Sequence, residues 1–183
     1  MEKSFAKINK MLDSGSKEEK IKILESLSST TDSKIINKII SMLDDPEIEV
    51  RGEAFSGLIL NENNISKLLI NNLSSESKNI RGFSALVLAN RKNSEAITSI
   101  INLTKDSSSL VRSCALGALG FLKASQASNV IHNCLSDTNL EVKKSALKAT
   151  IDIGYKITPE EINEISKEKD DELEKLLVLA RQN

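Results

Sequence analysis

The sequence predicts an all-α fold, an α-α superhelix of about six helix pairs. Three observations carry that expectation. One leucine recurs as Leu12, Leu43, Leu73, Leu103 and Leu135, at intervals of 31, 30, 30 and 32 residues. Shortly after each comes a second signature, VRGEAFSGL from Val50, IRGFSALVL from Ile80, VRSCALGAL from Val111 and VKKSALKAT from Val142. Nowhere do apolar and polar residues alternate for long enough to mark a half-buried strand.

The period divides the chain into segments of approximately 1–30, 31–61, 62–91, 92–123 and 124–156, with 157–183 as an incomplete, charged C-terminal cap, all within a single domain over 1–183. Counting the first residue of the signature as zero, position four is Ile23, Ala54, Ser84, Ala115 and Ala146. Position eight is Leu27, Leu58, Leu88, Leu119 and Thr150. The first copy, EKIKILESL from Glu19, is degenerate. On an α-helix, positions zero, four, seven, eight and eleven fall within roughly 100° of one another, so this helix buries one face. Small side chains there, such as Ala115 and Ala118, let neighbouring helices approach closely. The other half of each period is a shorter amphipathic segment: SKIINKIISML, ISKLLINNL, SEAITSIINL, ASNVIHNCL and PEEINEI. In the first segment the corresponding helix is expected near residues 3–12.

Boundary signals agree with this division. Asp45-Pro46 and Thr158-Pro159 place a capping side chain before a proline at the first helical position. Ser16 with Glu19, and Thr158 with Glu161, have the spacing of capping boxes. Gly15 and Gly154 stand where helices should end. The connectors SSTTD, NENN, NRKN and KASQ are short and polar. One helix pair could not bury enough apolar surface to offset the entropy of ordering itself, so stacking must stabilise the array.

Composition narrows the function. Twenty-five Lys and Arg face 26 Asp and Glu, and the net charge of −1 gives no footprint for nucleic acid or anionic lipid. A single His (His132), two Cys and no Trp leave no metal-ligand set and no His-dependent catalysis. Cys114 and Cys134 lack CxxC spacing and read as small buried hydrophobes. Lys7 and Lys10 interrupt the N-terminal apolar residues, as a secretory signal would not allow, and no run is long enough for a membrane span. The expectation is a cytoplasmic protein that is not an enzyme and has no cofactor.

VRSCALGALGFL, with Leu103 and the turn at Asp106 before it, resembles the short HEAT-like repeats of the phycobilisome-lyase type. The resemblance covers the whole chain, most clearly from Leu43 to Ile153. It implies that the helices carrying the VR signature line a concave surface. It also implies that Arg51, Arg81, Arg112 and Lys143 form a structural ladder to aspartates in inter-repeat turns. Asp44, Asp106 and Asp137 occupy such turns, with Ser74 in the third segment. Enzymes with this fold need residues that are missing here. Deoxyhypusine hydroxylase needs repeated His-Glu dipeptides, whereas His132 is followed by Asn133. The alkylpurine DNA glycosylases of this class use Trp.

The face opposite the buried stripe carries Glu49, Glu53, Phe83, Leu86, Asn90, Leu110, Cys114, Phe121, Lys144 and Lys148. The expectation is a groove for a helix or peptide of another protein, with Phe83, Leu86 and Phe121 as apolar anchors between acidic and basic flanks. The competing possibility is that these three pack between adjacent helices. Other functional readings are an accessory or lyase-like subunit of an enzyme complex, a nucleic-acid-binding array, which the charge disfavours, and a weak homodimer in place of a monomer.

Overall fold

The computed structural model describes the backbone of residues 2–182 and the side chains of 5–182. Among them lie twelve α-helices and no strand. The chain forms two compact units that meet in sequence between Arg91 and Lys92. The first contains α1 (Glu2–Ser14), α2 (Lys17–Ser26), α3 (Ser33–Ser41), α4 (Ile48–Leu60), α5 (Ser66–Asn71) and α6 (Lys78–Asn90). The second contains α7 (Ile97–Leu103), α8 (Ser109–Phe121), α9 (Ser128–Asn133), α10 (Leu140–Asp152), α11 (Pro159–Ile165) and α12 (Asp171–Ala180).

Within the first unit α4 packs between α2 and α6, and α1, α3 and α5 form a second layer. Within the second, α10 packs between α8 and α12, with α7 against α8 and α9 against α10. The signature residues explain this layering. Val50, Ala54 and Leu58 of α4 are buried, as are Val111, Ala115 and Leu119 of α8 and Val142 and Ala146 of α10. Each face joins one or two aliphatics to a small residue, which lets the helices approach closely. Gly120 marks the tightest approach: a Cβ there would lie 2.9 Å from Ala149 Cα.

Both expected capping boxes form, at Ser16 with Glu19 and at Thr158 with Glu161. Gly154 takes φ +71, and the Tyr155 and Gly154 amides donate to Thr150 and Ile151 carbonyls, closing α10 in a Schellman motif. The equivalent residue after α8 is Lys123, at φ 50, with the same bonding pattern from the Lys123 and Ala124 amides. Asp45 is not a helix cap. Its carboxylate accepts from the Glu47 amide at 2.9 Å in a turn, and α4 begins only at Ile48. In the degenerate first copy the buried residue is Leu24, whereas Ile23 is half-buried. The sixth segment contains both of its helices, and α12 buries Leu173, Leu177 and Ala180.

Candidate partner-binding surfaces

The turns before the signature helices fix the surface geometry. In each unit a basic residue at signature position one reaches an acid 25 positions later. Lys20 bonds Asp45 at 2.8 Å. Arg112 bonds Asp137 through Nε and a terminal nitrogen, at 2.8 and 2.9 Å. Lys143 bonds Glu168 at 2.6 Å. The arginines also tie down their own turns. Arg51 donates to the Asp45 and Pro46 carbonyls, Arg81 to those of Ser75 and Glu76, and Arg112 to those of Asp106 and Ser107. Asp45, not Asp44, is therefore the acid of its turn; Asp44 accepts from Asn79 Nδ2 at 2.8 Å instead. In the following turn Ser75, not Ser74, takes the equivalent place, accepting from the Ser77 amide. The guanidinium of Arg112 holds the Asp137 carboxyl below the usual carboxylate range.

In the first unit, α4 and α6 leave an apolar hollow of about 260 Å³. Its walls are Ile48, Gly52 and Phe55 from α4 and Phe83 and Leu86 from α6, with Arg51 at one side. Phe55 and Phe83 meet edge-to-face, with centroids 6.5 Å apart and planes at 74°. That is a preferred arrangement for an aromatic pair. Ile48 stands 68% exposed at the rim.

In the second unit, α8, α10 and α12 enclose a larger, charged cleft of about 740 Å³. Gly117 and Phe121 of α8 form one side, with Phe121 55% exposed. Lys144, Lys148 and Asp152 of α10, the middle helix, line it next, and Glu172 and Leu176 of α12 complete the lining. The Lys144 ammonium lies 2.7 Å from Glu141, 2.8 Å from Glu172 and 3.6 Å from Asp170. Hydrogen bonds to Glu141 and Glu172 raise its pKa above the ordinary lysine value.

Phe83 and Leu86 thus line the first unit's hollow, while Phe121, Lys144 and Lys148 line the second unit's cleft. Glu49 is exposed and pairs with Lys17 at 3.1 Å, and Glu53 is half-buried on the same helix. Asn90 turns back onto its own helix, donating to the Leu86 carbonyl at 2.8 Å. Leu110 is half-buried and lines neither hollow. Cys114 corrects the surface expectation. It is buried, and the lost solvation pushes its thiol pKa up to about 11. Lys144 is a second correction, since its side chain is buried under carboxylates and offers no free charge.

Several contributors escaped the sequence reading. Ile48 and Phe55 complete the apolar hollow, and Lys123 the charged cleft. Arg91 donates to the carbonyls of Leu58, Ile59, Asn61 and Asn63, holding the C-terminal end of α4. A cation just past a helix in a polar connector was the available signal for it. No described helix is long and apolar enough to cross a membrane.

Residues 66–151 match a family model of HEAT repeats. No curated protein matches the chain. Among solved structures, the complex of CpcE and CpcF of phycocyanin lyase from Nostoc sp. PCC7120 is similar at a TM-score of 0.68 and 15% identity, over 82% of this chain and 99% of that one. An engineered protein is similar at a TM-score of 0.59 and 19% identity, over 98% and 95% of the two chains. Computationally designed armadillo repeat proteins for modular peptide recognition are similar at 0.52 and 18% identity, over 96% and 98%. The internal period, the paired helices and the solved structures agree on a helical-repeat fold of the HEAT and armadillo kind, and residues 66–151 match the HEAT-repeat model itself.

Proposed function

We propose that the chain is a protein-binding module that holds a helix or peptide segment of a partner and performs no catalysis itself. The observation that supports this reading most is the apolar hollow between α4 and α6. Ile48, Phe55, Phe83 and Leu86 present contiguous apolar surface, and two of them are rings already held edge-to-face. An aromatic-lined apolar pocket is what an inserted apolar side chain requires, because burying it there removes apolar surface from water.

The test is affinity capture from native lysate on immobilised wild-type protein and on an Ile48→Ser variant, read by mass spectrometry. Ile48 is exposed, so the variant should keep its melting temperature while losing a defined captured protein. Identical capture by both proteins would refute the reading.

A second reading draws on the similarity to the CpcE–CpcF complex. It makes this chain an accessory subunit paired with another chain of its own kind, in a lyase-like assembly. Co-purification with a stable partner chain and a visible chromophore absorbance would favour it. A colourless preparation that runs alone would count against it.

A further inference from the structure

Stacking within each unit repeats one contact. A cation at signature position one reaches an acid belonging to the following pair, as Lys20 does with Asp45, Arg112 with Asp137 and Lys143 with Glu168. Positions five and nine lie one turn apart on the side of a signature helix that meets the next one. A Cβ at Gly120, position nine of α8, would lie 2.9 Å from Ala149 Cα on α10. Leu116 and Leu147, position five of α8 and α10, are fully buried. The last helix keeps this register. Leu173, Leu177 and Ala180 of α12 are buried at positions zero, four and seven, as Val142, Ala146 and Ala149 are in α10. Position five of α12 is Val178, and it stands 51% exposed. Arg181, three residues on, adjoins it on the helix surface and borders a groove of about 480 Å³ between α11 and α12. Pro159, Ile162 and Ser166 run along that groove on one face of α11. Its charged walls are Lys156, in the connector before α11, and Arg181, with no carboxylate among them. Both cations are exposed, and neither makes an ion pair among the described residues. The acids of α11 are held or turned aside: Glu161 bonds His132, Glu164 bonds Lys167, and Glu160 stands about 100° round the helix from Pro159. On α12, Glu174 lies about two turns from Arg181.

We propose that this end of the second unit docks an acidic amphipathic helix of a partner protein, in the place a following helix would take, with its apolar stripe on Val178 and Ile162 and carboxylates toward Lys156 and Arg181. This rests on the reading of the chain as a protein-binding module and adds the place and chemistry of one partner helix. Two observations commit the occupant. The register of α12 continues that of α8 and α10, so the shape that fits it is a helix with an apolar stripe. The groove holds two unpaired cations, and every earlier cation named above meets an acid across the same kind of contact. A basic helix would meet like charges there. A second copy docked face to face about a two-fold axis would set Lys156 and Arg181 against their own counterparts. The apolar contact supplies area, while the cations set orientation and salt dependence.

The experiment uses the full chain and two fluorescein-labelled synthetic amphipathic helical peptides, one of leucine and glutamate and a twin with lysine for each glutamate. Fluorescence anisotropy at low and high salt gives their affinities. The glutamate peptide should bind more tightly than its twin, and salt should weaken it. Lys156→Glu combined with Arg181→Glu should weaken it by about tenfold and turn the preference toward the lysine twin. A reversed preference cannot come from lost folding. Val178→Ser should weaken both peptides at an unchanged melting temperature, because Val178 is exposed. Lys34→Glu changes an exposed cation of the first unit and should leave the affinity as it is. Equal affinity for the two peptides, indifference to the double variant, or an equal loss with Lys34→Glu overturns the proposal. So does a concentration-dependent dimer in sedimentation that the double variant abolishes, since the occupant would then be a second copy of this chain. Ile48→Ser should leave the glutamate peptide's affinity unchanged, so the hollow and this end face can each fail alone.

Discussion

The hollow of the first unit and the cleft of the second are built on the same kind of frame and end with different chemistry. Signature helices with the same buried positions form both walls of the hollow, α4 and α6. The cleft uses two more, α8 and α10, and adds α12 as a third wall. The outward positions supply Ile48, Phe55, Phe83 and Leu86 in one case, and Lys148, Asp152 and Phe121 in the other. Buried residues set how the helices pack, and outward residues set what can bind. The two sets should therefore respond to mutation on separate scales.

The largest effects should come from the frame and should be alike in both units. Leu88 and Leu119 occupy signature position eight, and both are fully buried. Leu88→Ala and Leu119→Ala should each cost about 2–5 kcal/mol in urea unfolding. A much smaller loss at one of them would break the claim of an equivalent frame.

Next in size is the contrast between two phenylalanines that the sequence placed on the same face. Phe83 is half-buried and packed on Phe55, whereas Phe121 is exposed. Phe83→Ser should cost about 2 kcal/mol, from lost burial and a lost edge-to-face pair. Phe121→Ser should stay within about 0.5 kcal/mol of wild type. Equal losses would make both residues core and break the contrast between them.

Those two residues also show how far sequence could reach. The period of 30 to 32 residues gave helices, pairs and buried face, because burial on a helix follows from angular spacing alone. It placed Phe83, Leu86, Phe121 and Lys148 on the outward side, and each retains exposure. It failed at Cys114, one turn from Leu110, because burial at a helix edge depends on where the neighbouring helix lies, and that is a tertiary fact. Lys144 was misread for a related reason. Its partners Asp170 and Glu172 lie at the start of α12, almost thirty residues further on. The turn acid was displaced by one residue, Asp45 in place of Asp44, because an Asp-Asp pair offers no local signal to choose between them.

The ladder gives a smaller contrast. Arg112 holds Asp137 with two parallel bonds, whereas Arg51 bonds only carbonyls among the contacts resolved for it. Lysine cannot reproduce the paired geometry, so Arg112→Lys should cost about 1 kcal/mol more than Arg51→Lys. The acid side of this bond is pH-sensitive. Because the folded Asp137 carboxyl titrates below its usual range, its contribution is present above about pH 4 and is lost as pH falls through the lowered value. Asp137→Asn should therefore lose less stability than wild type on acidification from about pH 5 to about pH 2. Parallel acid limbs for the two proteins would show that the pair adds nothing.

The smallest expected effect concerns the residue that follows each signature helix. Lys92, Lys123 and Gly154 stand at this place after α6, α8 and α10, with φ values of 58, 50 and 71. A side chain in this left-handed region crowds its own backbone, at roughly 1 kcal/mol. Glycine removes that strain but enlarges the freedom of the unfolded chain, which offsets about half of the gain or more. Lys92→Gly and Lys123→Gly should then each stabilise by about 0.5 kcal/mol. Nothing lies within 4 Å of a Cβ added at Gly154, so Gly154→Ala should destabilise through the backbone alone, by about 0.5 kcal/mol after the same offset. The sign carries the argument. Lys92 and Lys123 must respond alike in stability, since the backbone is the same, but only Lys123 lines the charged cleft. A gain in stability at one lysine and a loss at the other would break the equivalence of the two turns.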